Sequence, residues 1–138
     1  MDPAQFVRDE IADLSRGDLA AVLAYYTDDV FFHDVSTTPC HGKEEMRDFM
    51  AIFYRGFPDL HIDIRNVIAG GHIVVAEYDL LGTHTGPFLE HAPTGRAFTV
   101  PAVSVYEHDG HLFTRETVYY DSASLFAQLG LPAIGVES

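Results

Sequence analysis

Helical periodicity at the front of the chain and strict alternation behind it predict an α+β domain, its N-terminal helices packed on a strongly curved, mostly antiparallel sheet. Three observations carry this reading. Apolar residues recur at helical spacing in "PAQFVRDEIADLS" and again in "KEEMRDFMAIFYRGF". From Leu60 onward the pattern becomes alternation in long runs, joined by the turn formers Gly70-Gly71 and Asp109-Gly110. A length of 138 residues with 47% hydrophobic content suits one ordinary domain with a proper core. A curved sheet closed by helices leaves a conical pocket, where small ligands bind.

Taken in order, Asp2 caps a first helix with Pro3 at its first position, Phe6, Val7, Ile11 and Leu14 on one face and Gly17 as its stop. Asp18 caps a short second helix through "LAAVLAYY", and "DVFFHDV" after Thr27 reads as a strand. Beyond the loop "STTPCHG", Met46, Phe49, Met50 and Phe53 stand at helical spacing, with acidic residues in the first turn and Gly56 at the end. "LHIDIRNVIA" and "HIVVAEYDLLGTHTG" form a hairpin across Gly70-Gly71. The loop "PFLEHAPTGR" leads to the strand "AFTVPAVSVYEHD", which Asp109-Gly110 turns into "HLFTRETVYYD". A last helix, "SASLFAQLG", ends at Gly130, so residues 1–132 make one domain and 133–138 a loose tail.

Eight Lys and Arg against 21 Asp and Glu give a formal charge of −13, which opposes phosphate backbones and anionic membrane faces. The expected partner is a hydrophobic small molecule, not nucleic acid or membrane. One cysteine, Cys40, allows no internal disulfide, and it lacks the flanking base of a nucleophile. The N-terminus has no basic segment followed by an apolar run, so a cytoplasmic location is expected. Eight histidines raise the question of metal, but no pair sits at ligand spacing on one predicted element beside a carboxylate, and no metal is expected.

The combination of "GTHTGPF", "PTGRAF", the hairpin "VYEHDG" and "YYDSASLFAQLGL" resembles the SnoaL-like polyketide cyclases of the nuclear-transport-factor-2-like superfamily, over nearly the whole chain. The resemblance implies an α+β cone, no cofactor, a homodimer formed through the sheet, and a carboxylate at the end of the last long strand acting as acid and base. By position that carboxylate is Asp121. The implied reaction removes a proton beside a carbonyl, and the enolate closes a ring on a second carbonyl. Limonene epoxide hydrolase, of the same superfamily, is a second template. Its strand motif corresponds to Asp29, Phe32 and Asp34, its arginine and aspartate to Glu77 and Asp79, and its other aspartate to Asp121. Phe32 cannot hold a water as the template's tyrosine does, and Glu77 reverses the arginine's charge, so epoxide hydrolysis ranks second. A non-catalytic binding or scaffold domain of the same fold is the third reading.

Alternation puts Glu77 and Asp79 on one face of their strand, and Thr117, Tyr119 and Asp121 on one face of theirs. If both faces are concave, several carboxylates share an apolar pocket, one keeps its proton, and an acid and a base stand side by side. Asp121 is equally suited to capping the helix behind it, although Ser122 could take that task. Asp79 could point outward, and Glu77 could pair with Arg115. His84 in "GTHTG" is the best-placed histidine, able to donate to a substrate carbonyl or to bond a loop carbonyl. The catalytic candidates are therefore Asp121, Asp79 and His84. The substrate-binding candidates are Phe32, Asp34, Phe49, Phe53, Glu77, Phe88 and Tyr119.

Overall fold

The computed structural model describes residues 1–132, so the tail expected at 133–138 lies outside the described residues. Helix α1, Pro3–Ser15, opens with Pro3 at its start and the Asp2 carboxylate accepting from the Gln5 N–H at 3.2 Å. Asp18 caps α2, Leu19–Leu23, in the same way through Ala21. This helix is shorter than the sequence suggests. The Tyr25 carbonyl accepts from the Phe113 N–H at 2.8 Å, so the chain leaves the helix and Tyr26 begins strand β1, Tyr26–Asp34. The segment expected to be loop contains a two-residue strand β2, Cys40–His41, paired antiparallel with β1. Helix α3 runs Lys43–Gly56, and the strands β3 His61–Gly70, β4 Ile73–Thr83, β5 Ala97–His108 and β6 Phe113–Tyr120 follow before α4, Ser122–Leu129. No described helix is long and apolar enough to cross a membrane.

One six-stranded sheet has the order β2-β1-β6-β5-β4-β3. All its pairings are antiparallel except β1 with β6, so the chain's first and last long strands meet side by side. The helices bury apolar stripes against one face. Val7 and Ile11 of α1 and Met46 and Met50 of α3 join Val30, Val74 and Ala102 of the sheet in one cluster. A second cluster, Phe57, Phe88, Phe98, Leu125, Phe126 and Leu129, forms where α4 packs on β5.

The phase of the strands differs from the expectation. On β4 the buried side chains are Val74, Ala76 and Tyr78, and on β6 the inward series is Glu116, Val118 and Tyr120. Glu77 and Asp79, and with them Tyr119, therefore face away from the helices. A shift of one residue in phase moves every side chain of a strand to the opposite face. In "VVAEYDLL" one phase, Val74, Ala76, Tyr78 and Leu80, is apolar throughout while the other contains both acids, so the alternation itself favours the face the structure buries.

One glycine fixes the loop after β4 against the end of α3. The Gly86 N–H donates to the Gly56 carbonyl at 3.2 Å, and a Cβ on Gly86 would stand 1.9 Å from the Arg55 carbonyl oxygen. Because the obstacle is backbone, Gly86→Ala is expected to destabilise the fold by about 1–3 kcal/mol. Denaturant melts of the variant against the parent chain measure this.

Candidate active site

Helix α1 carries one residue that does not belong on an apolar stripe. Glu10 falls between Val7 and Ile11 on the buried face and is 2% exposed. Across from it, the inner phase of β6 brings in Glu116, 5% exposed, and β1 brings in Tyr26, fully buried. The Tyr26 hydroxyl lies 2.6 Å from Glu10 Oε1 and 2.5 Å from Glu116 Oε1. A hydroxyl has one proton to donate, so two contacts this short are both hydrogen bonds only if one carboxyl is protonated and donates to the tyrosine oxygen.

Burial supports the same proton count. It is the largest cause raising Glu10 well above the ordinary carboxylate range. The Glu116 charge adds to the rise, and the Tyr26 hydrogen bond and the nearby Tyr106 hydroxyl work against it. Burial also lifts Glu116, to about 7, against the Tyr26 hydrogen bond and the nearby Ser104 and Tyr106 hydroxyls. Tyr26 and Tyr106 are held far from ionisation, first by burial and then by the two glutamates. At neutral pH the pair thus contains a protonated and an ionisable carboxyl joined through one hydroxyl.

The pair borders a cavity of about 80 Å³ whose other walls are mostly apolar, among them Phe32, Phe49, Met50, Ile62 and Val118. Asp34 and Tyr120 form a second polar point on its lining, joined by a 2.8 Å hydrogen bond from the tyrosine. The other Asp34 oxygen accepts from the Ser36 N–H at 2.9 Å and its hydroxyl at 2.6 Å, so both oxygens of this carboxylate are engaged. A larger cavity of about 360 Å³ adjoins the first, sharing Phe49, Phe53 and Tyr120 with it and adding Ile52, Phe88 and Leu89.

The candidates named from the sequence divide between these cavities and the rest of the molecule. Phe32, Asp34, Phe49 and Phe53 line the inner cavity, and Phe88 lines the outer one. Asp121 borders neither; it caps α4, its Oδ1 accepting from the Ser124 N–H at 3.1 Å. Ser122 is the helix's first residue and leaves the cap to Asp121. Asp79 pairs with Arg65 on the outer face. Beside it Glu77 accepts from the Asn66 amide at 2.7 Å, while Arg115 pairs instead with Glu107. Tyr119 is half exposed on that same face, and Asp29 is exposed on β1. His84 is enclosed, with Phe57 and Phe88 rings against it and the Thr94 N–H donating to Nδ1 at 3.2 Å, and burial lowers its pKa. It reaches neither cavity. Among the described residues no group of three or more His, Cys, Asp or Glu is arranged to hold a metal ion.

Because Asp121 satisfies an N–H that Ser124 would otherwise leave unpaired, Asp121→Ala is expected to cost about 1 kcal/mol of stability. Asp121→Asn, an equally good cap, is expected to cost little. Thermal melts of the two variants distinguish capping from a general need for the charge.

Glu10, Tyr26 and Glu116 were not singled out from the sequence. The signal for Glu10 is its position at the i+3 point of the Val7, Ile11, Leu14 stripe, where a charge has no solvent. Glu116 offers less, since a glutamate in "TRETVYY" fits either face of a strand.

The fold and this arrangement define an α+β cone enclosing an apolar cavity with paired acids. A sequence model of the SnoaL-like polyketide cyclases matches residues 5–129, and the chain belongs to that family. Solved structures share the fold. AclR from Streptomyces galilaeus, a proposed hydroxylase, is 20% identical with a TM-score of 0.82, the match covering 93% of this chain and 96% of that one. IdmH from Streptomyces antibioticus, a proposed polyketide cyclase, is 20% identical with a TM-score of 0.81 over 95% of this chain and 100% of its own. A Catenulispora acidiphila protein with a ketosteroid isomerase-like fold is 22% identical, with a TM-score of 0.80 over 96% and 97% of the two chains. No curated protein matches.

Proposed function

We propose that this chain is a cofactor-independent acid–base enzyme acting on a hydrophobic carbonyl compound, with Glu116 and Glu10 in the roles that sequence position suggested for Asp121 and Asp79. The observation that carries this reading is the Tyr26 hydroxyl held between two buried carboxyls at an apolar cavity. Ionised Glu116 takes a proton from the carbon beside the substrate carbonyl, and the electron pair moves to the carbonyl oxygen as an enolate. Low polarity around the pair matches the base to neutral pH, since burial has brought Glu116 to about 7. In an isomerisation the same proton returns to a different carbon. In an intramolecular aldol closure, the form the family favours, the enolate carbon bonds to a second carbonyl carbon, and the alkoxide so formed takes back the proton from Glu116. Glu10, bonded through Tyr26, keeps its own proton and holds the hydroxyl in place. Each route leaves the enzyme in its starting protonation state.

Exchange of carbon-bound hydrogen tests the chemistry before the natural substrate is known. In deuterated buffer the protein is expected to speed deuterium incorporation beside the carbonyl of apolar ketones, read by proton NMR. No acceleration over buffer for any ketone that binds would count against the reading.

A further inference from the structure

The inner cavity, at about 80 Å³, has room for only a few non-hydrogen atoms, whereas ligand sites ordinarily span several hundred Å³. The missing volume lies next door. The outer cavity, about 360 Å³, shares the walls Phe49, Phe53 and Tyr120, so the two are chambers of one site separated by those rings. Its added walls are largely apolar, and two of them, Ile52 and Leu89, are exposed large hydrophobics at its edge. Leu89 also has a φ of 52°, a left-handed conformation rare for a branched side chain, of the kind that collects at ligand sites.

The charged side chains are of one sign. Glu10, Asp34 and Glu116 line the inner chamber and Glu45 and Asp48 the outer, and among the described residues no Lys, Arg or His lines either. Both Asp34 oxygens already accept hydrogen bonds, and both glutamates use Oε1 on Tyr26. Glu10 Oε2 is buried with no hydrogen-bond partner among the described residues. The shared proton is needed along the line from Glu10 Oε1 through the Tyr26 oxygen to Glu116 Oε1. Oε2 is therefore left as an acceptor, and an unfilled buried acceptor calls for a donor.

We infer that the ligand is a two-part, non-anionic molecule: a small head bearing an O–H or N–H donor reaches Glu10 Oε2 in the inner chamber, and an apolar body fills the outer chamber. This rests on the reading of the inner cavity as the catalytic site and specifies what that site admits. A carboxylate head offers no donor and finds no cation among the described lining residues; an alcohol or ammonium head offers a donor and no negative charge.

Calorimetric titration with 4-phenylbutan-1-ol, 4-phenylbutylamine and 4-phenylbutanoate at pH 7.5 tests it. The alcohol and amine are expected to bind at least ten-fold more tightly than the carboxylate. Ile52→Ser, a change at an exposed position of the outer wall, is expected to weaken both at least three-fold while leaving the melting temperature near that of the parent. Glu10→Gln, which supplies an amide donor, is expected to shrink the preference over the carboxylate at least three-fold. Carboxylate binding within three-fold of the alcohol, no binding by any of the three, or affinities indifferent to both substitutions would overturn the inference. Ketone exchange that depends on Glu116 would still stand if the carboxylate bound equally well, so the two ideas can fail separately.

Discussion

Glu116→Gln lowers the rate of proton transfer at carbon by about a thousand-fold, within the 10²–10⁴ range that a positioned general base supplies. The substitution keeps shape and an acceptor oxygen for the Tyr26 hydroxyl, so the 2.5 Å contact becomes an ordinary hydrogen bond and the fold persists. Affinity for an apolar ketone changes little, because Phe32, Phe49, Met50 and the other cavity walls are untouched. The loss falls on kcat, the signature of an interaction made in the transition state alone. Asp121→Asn is the control, and its rate stays near the parent's because its carboxylate caps α4 outside the cavity. Steady-state exchange rates for the two variants decide it. Equal rates for Glu116→Gln and the parent would leave the buried pair a structural feature.

The second large effect is on stability as pH rises. Glu116 sits above its ordinary value of 4.5, at about 7, so between these values the folded chain holds a proton that the unfolded chain has released. Stability falls with rising pH wherever the folded state binds more protons. The contribution is thus intact below about pH 4.5 and is lost as pH climbs through 7. A shift of this size corresponds to roughly 3 kcal/mol, at about 1.4 kcal/mol per pH unit. Glutamine does not titrate. The stability of Glu116→Gln relative to the parent is therefore expected to rise by that order between pH 4 and pH 8.5, as measured by urea melts at each pH. A difference between the two proteins that stays flat across this range would show that the group is not held protonated by the fold. The same titration sets the rate profile: exchange rises with pH as Glu116 ionises and levels off above about 7.

Much of the architecture was legible. Asp2 with Pro3, Asp18, and Gly130 mark helix ends that the structure keeps, because caps and left-handed stops are decided within one turn of chain. Both glycine-containing turns hold as well, with Gly71 and Gly110 at positive φ. Phe49 and Phe53 follow from the stripe of α3, and Phe32 and Asp34 from their correspondence to the epoxide-hydrolase strand motif, and all four line the inner cavity. The acids were placed on the wrong side. On β4 the phase Val74, Ala76, Tyr78 and Leu80 is apolar throughout, so alternation alone pointed Glu77 and Asp79 outward, and the expectation that they faced the pocket went against it. Asp121 was expected from the family resemblance and Glu77 and Asp79 from the epoxide-hydrolase template, and the structure leaves all three out of the cavities.

The sequence by itself determined the elements, their order, the family and the acidic, apolar character of the site, because these depend on local spacing and composition. Only the tertiary structure decided which carboxyls meet. Glu10 and Glu116 are 106 residues apart in the chain, and Tyr26 is 90 residues from Glu116. They converge because β1 lies parallel beside β6 and α1 packs over the sheet's inner face. That pairing fixes which phase of each strand looks inward, and the resulting burial holds a proton on a cluster that in isolation would be two ordinary surface glutamates.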